Sequence, residues 1–362
     1  MGRRLLSSTV VTDLLAKTAA FVDIPSVSFA EKEFVDWLER DLRAVPWLSV
    51  DRIGDNIVAR TSSGRSQRII LAGHTDTVPV NNNGRARIEG DILYGVGSAD
   101  MKGGLAVFHE IAHTVPEPAV DLSFVFYARE EVAQEHSGLG ELIRTAPHLL
   151  EADCAILGEP TDGEIEAGCQ GALRFRITLG GDRAHTARPW MGRNAIHRAG
   201  PLLVALAAYE PRRPVLDGCE FIESVQTVRV DGGQAGNVVP DHVAVTVHHR
   251  YAPDRSADVA EQWFLAYIDE FIDADDEIEL IDRTHACPPS LNHPILARLA
   301  QGRPKSAKLG WTDVARFAEL GIPATNFGSG DPTVAHTEHE HLRRDSIERT
   351  FAAIHALVTG TT

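Results

Sequence analysis

The sequence predicts an α/β protein of two domains: a mostly parallel sheet into which a smaller two-layer domain is inserted. Three observations carry this reading. The chain has 362 residues, room for about two domains at roughly 100–200 residues each. In its first half, short apolar runs alternate with stretches of helical spacing. From about residue 172 the runs become half-exposed and alternating, and after residue 292 the first texture returns.

Helical spacing opens the chain, with Leu14, Leu15, Thr18, Ala19 and Val22, then Phe34, Val35, Leu38 and Leu42. Ile24-Pro25-Ser26 separates the two helices. Ile57–Arg60, Arg68–Ala72, Leu122–Tyr127 and Cys154–Leu157 read as strands, with helical stretches at Gly104–His113 and Gly138–Arg144. Strands that alternate with helices imply a parallel sheet buried on both faces. Next, Leu173–Leu179 alternates apolar and polar residues. A helix at Ala195–Tyr209, strands at Ser224–Val230 and His242–Tyr251, a helix at Ser256–Ile272 and a strand at Glu277–Asp282 follow. The order β-α-β-β-α-β is the split pattern of a ferredoxin-like sandwich. The expected division is residues 1–172 plus 287–362 for the outer domain and 173–286 for the insert.

Composition excludes several function classes. Hydrophobic residues are 43% and charged residues 24%, the balance of a globular chain with a sizeable core. The net charge of −16, with no cluster of Lys and Arg, argues against nucleic acid and anionic membrane as partners. No apolar run approaches the ~18 residues of a membrane span. Met1–Val11 reads as the lead-in to a helix, not as a signal peptide. The four cysteines, Cys154, Cys169, Cys219 and Cys287, form no Cys-x-x-Cys pair. A reducing, cytoplasmic setting is therefore expected.

The chemistry lies where the strands end. Arg68–Gly73 runs into His74-Thr75-Asp76, Leu122–Ala128 into Glu130-Glu131, and Cys154–Gly158 into Glu159. In open α/β sheets the ligand crevice lies outside the carboxyl ends of the strands. Asp100 sits in the glycine-rich stretch Gly95–Gly104, where the backbone can turn sharply. Each residue alone has a bland reading as a structural or solvated group. Together they do not, because so many carboxylates at one rim are costly unless cations neutralise them. Two imidazoles with three carboxylates suit two divalent ions of zinc type, one carboxylate bridging a pair roughly 3.5–4 Å apart.

The motifs Gly73-His74-Thr75-Asp76-Thr77-Val78-Pro79, Gly97-Ser98-Ala99-Asp100-Met101-Lys102-Gly103-Gly104, Arg129-Glu130-Glu131 and Gly158-Glu159-Pro160 resemble those of the co-catalytic zinc amidohydrolases. That family includes carboxypeptidase G-type enzymes, aminoacylases, acetylornithine deacetylase and succinyl-diaminopimelate desuccinylase. The resemblance implies roles. His74 and Glu159 would hold one zinc, Glu131 and His336 the other, and Asp100 would bridge them; cobalt or manganese could substitute. Asp76 would orient His74, and Glu130 would act as general base. In the tract Ala335–His341, the family pattern of a His with a Glu four residues on fits His336 and Glu340. The resemblance also makes the insert a lid and dimerisation domain, with His185 and Asn237 acting across a homodimer interface. His185 would stabilise the oxyanion, and Arg250 would clamp a carboxylate.

Ala184–Trp190, Leu309–Phe317 and Asn326–Pro332 resemble the actinobacterial type of desuccinylase. The implied substrate is a polyanionic N-succinyl amino acid, with an acetylornithine-type or broader aminoacylase as the alternative. Arg174, Arg188, Arg250 and Arg316 are candidates for its carboxylates, and the backbone N–H groups of Gly310 to Asp313, Thr312 included, and of Gly328 to Gly330 for its succinyl end. One departure stands out: Cys169-Gln170 occupies the place of an arginine pair in better-known desuccinylases. Finally, His109-Glu110-Ile111-Ala112-His113 matches the H-E-x-x-H zinc-protease pattern. The apolar face of that stretch is Leu105, Phe108, Ile111, Ala112 and Val115. His109 and His113 are therefore expected at its edge, rotated toward solvent.

Overall fold

The computed structural model describes residues 13–361; the Met1–Val11 reading lies outside them. The chain divides into two compact units. The first contains residues up to Glu166, Leu291–Pro304 and the chain from Gly321 onward; the second contains Ala167–Ser290 and Lys305–Leu320.

In the first unit, strands Arg68–His74, Asp121–Tyr127 and Cys154–Leu157 lie side by side and parallel, with Arg68–His74 in the middle. Ala324–Asn326 continues the sheet parallel to Cys154–Leu157. Asn56–Arg60 and Ser49–Ile53 close its other side in antiparallel register. Asp121–Tyr127 and Cys154–Leu157 are buried along their whole length, as strands covered on both faces must be. Helices Leu14–Val22, Gly103–Thr114 and Arg344–Thr359 pack on one another. Lys32–Arg43 packs against Ser49–Ile53 and Asn56–Arg60. Gly104 lets its helix approach the sheet, since a Cβ there would lie 2.3 Å from the Gly158 carbonyl oxygen.

The second unit follows the order strand, helix, strand, strand, helix, strand. Its sheet runs Ser224–Gly232, His242–Tyr251, Gly171–Gly180, Glu277–Thr284, with all pairs antiparallel. Leu173, Phe175, Ile177, Val243, Val245 and Val247 form one core with Leu202 and Phe264 of helices Ala195–Ala207 and Ala257–Ile268. Period-two alternation thus separates a covered face from a polar one. Residues 305–320, expected with the outer segments, group with this unit. The cause is local bonding: Lys308 N–H donates to Ala167 O at 3.2 Å, and Gln170 N–H to Lys308 O at 3.3 Å.

Candidate metal centre

The parallel register delivers the donors to one rim. His74 pairs with Tyr127, so Glu130 and Glu131 follow just beyond the end of the neighbouring strand. On the other side Leu157 pairs with Ala72, and the buried Glu159 follows two residues beyond the end of that strand. Asp100 arrives from the stretch before helix Gly103–Thr114, across a cis peptide bond to Met101. His336 comes from the loop before strand His341–Arg343, with its backbone in the left-handed region at φ 63°, a conformation uncommon for a residue with a side chain.

His74 Nε2 lies 3.0 Å from Asp100 Oδ1. His336 Nε2 lies 2.8 Å from Glu131 Oε1 and 3.5 Å from Asp100 Oδ2. Donor atoms of His74, Asp100 and Glu131 all fall within 4.8 Å of one another. Asp100 thus stands between the two imidazoles. Burial alone would lower the pKa of His74, but the hydrogen bond and charge of Asp100, with Glu130 and Asp76 behind it, raise it well above the ordinary value. His336 is pushed up to about 10 by hydrogen bonds with Asp100 and Glu131. Burial would raise the pKa of Asp100, yet His336 and His74 hold it well below the usual carboxylate range. The imidazoles thus carry protons where cations would otherwise compensate the carboxylates, and this donor set fits divalent ions.

The supporting residues are specific. The Asp76 carboxylate accepts from Glu130 N–H at 3.0 Å, Glu131 N–H at 3.1 Å and Ser28 Oγ at 2.7 Å. His74 Nδ1 meets the main-chain oxygen of Asp76 at 3.0 Å, whereas the carboxylate lies 3.6 Å away. Asp76 therefore orients His74 chiefly through its backbone, and its side chain positions the Glu130–Glu131 pair. Glu340 Oε1 accepts from Ala99 N–H and Asp100 N–H, each at 3.0 Å, and fixes the Asp100 segment. Burial pushes Glu340 up to about 7. Buried Lys102 donates to Phe21 O at 2.9 Å and Ile24 O at 2.8 Å, tying that segment to the first helix. Ser28 and Lys102 escaped the sequence reading; the only signal was a polar residue inside a motif or beside an interruption.

The other candidates belong to the second unit. His185 forms a bridge with Val238, and Thr186 N–H donates to Asn237 O at 3.0 Å, so His185 and Asn237 share one exposed edge. Arg188 is exposed and its N–H donates to His185 O. Arg174 lies 3.7 Å from Asp282. Arg250 is half-buried beside Arg174, and desolvation lowers its pKa. Gly310 is exposed; Thr312 is buried, with Cys169 Sγ 3.7 Å from its carbonyl oxygen. Arg316 pairs with Asp313 at 2.7 Å. Gln170 is buried and donates to Ile222 O at 2.7 Å. Cys169-Gln170 is thus packed inward and offers no charge to a substrate.

The H-E-x-x-H residues behave differently from expectation. His109 is buried, 3% exposed, because helix Lys32–Arg43 covers it: Trp37 stacks on its ring at 5.5 Å and Asp41 Oδ2 lies 2.7 Å from Nε2. Glu110 accepts from Lys17 at 2.5 Å and is held as an ion-pair partner, not as a general base.

The family model described as Peptidase family M20/M25/M40 matches residues 70–360. The chain belongs to this family. It is 48% identical over 334 residues to a Mycobacterium tuberculosis protein described as a candidate succinyl-diaminopimelate desuccinylase, covering 91% of this chain and 93% of that one. It is 43% identical over 345 residues to the succinyl-diaminopimelate desuccinylase of Corynebacterium glutamicum, covering 92% and 93%. The fold is that of a tripeptidase from Staphylococcus aureus, with a TM-score of 0.78 at 21% identity over 96% of this chain and 97% of that one. Among the described residues no helix is long and apolar enough to cross a membrane.

Proposed function

We propose that the chain hydrolyses the N-succinyl amide of N-succinyl-L,L-diaminopimelate to succinate and L,L-diaminopimelate. The observation that carries it is the strand-end rim, where imidazoles and carboxylates from separate segments converge on Asp100 beside a Glu-Glu pair. The relatives named for this activity, alike over nine-tenths of the chain, support the substrate.

In this reading His74 and Glu159 would hold one zinc ion and Glu131 and His336 the other, with Asp100 shared between them. When bound, such a pair polarises the amide carbonyl and makes water a better nucleophile near neutral pH. Glu130, held by the Asp76 contact to its backbone N–H, takes the proton from the attacking water. The C–N bond then breaks, and Glu130 passes that proton to the departing amine. Arg250 and Arg174, adjacent on the polar face of the second sheet, are the proposed receivers of substrate carboxylates, with Arg188 and the Gly310–Thr312 loop as further contacts. His185 and Asn237 are proposed to serve a second copy's site. Val228 and Val230 on the edge strand Ser224–Gly232, with Ile196 and Val204 on the neighbouring helix, are exposed, as an edge awaiting a partner would be. All four cysteines are free and buried, which suits the proposed cytoplasmic setting.

The test compares kcat/KM of the zinc-loaded protein on N-succinyl-L,L-diaminopimelate and N-acetyl-L-ornithine. A strong preference for the succinyl compound is expected. Preference for the acetyl compound would keep the centre and replace the substrate; activity on neither would overturn the reading.

A further inference from the structure

A second group of metal-type donors lies in the same unit, on helices instead of strand ends. His109 and His113, four residues apart on helix Gly103–Thr114, face Asp41 on helix Lys32–Arg43. Their rings stack with centroids 4.4 Å apart. Both Nε2 atoms approach one oxygen: His109 lies 2.7 Å and His113 2.8 Å from Asp41 Oδ2. One carboxylate oxygen thus serves two imidazoles. The His109 contact is aligned as a hydrogen bond. His113 Nε2 is itself buried, and its 2.8 Å approach to the same oxygen is an ion-pair distance without hydrogen-bond alignment. A buried polar atom without an aligned partner is costly, and a cation coordinated by Nε2 beside that oxygen would satisfy it.

We propose that Asp41, His109 and His113 form a third, non-catalytic divalent-cation site of zinc type. Two imidazoles at i and i+4 on one helix with a carboxylate from a facing helix are a recurrent ligand set for such an ion, which leaves a position for water. Asp41 and His113 are 37% and 31% exposed at their side chains, so an ion can enter from solvent. His109 is reached from within, its ring fixed by Trp37 and by Phe21 at 5.4 Å. Lys17 Nζ, 3.0 Å from His109 Nδ1, marks the competing state. An ion at Nε2 places the imidazole proton on Nδ1, so Lys17 must release His109 and keep Glu110, which already lies 2.5 Å away. That ion pair is why the site lacks a hydrolytic base, despite its H-E-x-x-H pattern. Its role is mechanical. It clamps Lys32–Arg43 to the helix that begins just after Asp100.

The experiment is equilibrium dialysis against Zn²⁺ followed by metal analysis, on the full-length wild type and on the Asp41→Asn and His113→Gln variants. Each variant is expected to retain one zinc fewer per chain than wild type, with turnover and circular dichroism unchanged. Both variants keep the wild-type fold contacts except at partly exposed tips, so either can stand in if the other misfolds. The difference is independent of catalytic-centre loading, since that centre's residues are untouched. Equal zinc content in wild type and both variants would overturn the proposal.

Discussion

At the strand ends, two imidazoles meet the carboxylates of Asp100 and Glu131, with the charge of Glu130 close by; on the helices, two imidazoles share one carboxylate, Asp41. Both groups have metal-type donors, yet their electrostatics run in opposite directions. The rim has more anions than cations, so its histidines are driven to hold protons, His336 up to about 10. In the helical group a single carboxylate serves two imidazoles, so burial, with the charge of Lys17 beside it, takes His109 down to about 4. Charge balance thus separates a centre that depends on metal from one that a metal only reinforces.

The contrast is sharpest on removing a carboxylate. Asp100→Ala should strip the rim of metal and abolish amide hydrolysis, while Asp41→Asn should leave kcat unchanged; metal analysis beside a turnover assay reads both. Comparable loss of turnover in the two variants would erase the distinction. Asp76→Ala should lower activity or metal affinity by about 10–100-fold, because its carboxylate positions the backbone of Glu130 and Glu131. Wild-type kinetics in that variant would show that the pair positions itself.

Packing comes next. Gly104→Ala forces a methyl group onto the Gly158 carbonyl and should cost about 1–3 kcal/mol, measured by denaturant unfolding. An unchanged midpoint would mean that the helix can retreat from the sheet without penalty.

The smallest effects concern pH in the chelator-treated protein. His336, raised to about 10 in the fold, contributes stability that is fully present below its unfolded value of roughly 6.5 and lost as pH rises toward 10. His109, lowered to about 4, contributes stability present above roughly 6.5 and lost as pH falls toward 4. Thermal melts across that range should show His336→Gln flattening the alkaline limb and His109→Gln the acid limb. The reverse pattern would contradict the comparison.

Much of this was readable in the sequence because the relevant signals are local. A strand running into His74, Glu130 or Glu159 shows both its apolar run and its polar end, and parallel register does the rest. Contacts made by a second layer left no such trace. Helical periodicity placed His109 toward solvent, but it cannot show that Trp37 and Asp41 cover that side. Glu340 could be matched to a pattern, yet its bonds to the backbone of Ala99 and Asp100 depend on a chain separation of some 240 residues. The assignment of 305–320 to the second unit likewise rests on long-range backbone pairing with Ala167 and Gln170.

The central claim is that Glu130 moves the proton at a rim whose metal is held by other residues. Glu130→Gln, assayed for kcat on N-succinyl-L,L-diaminopimelate with bound metal measured on the same sample, tests it most directly. The expected result is a fall in kcat of about 10²–10⁴-fold with metal content unchanged. Turnover near the wild-type rate with the metal in place would contradict it.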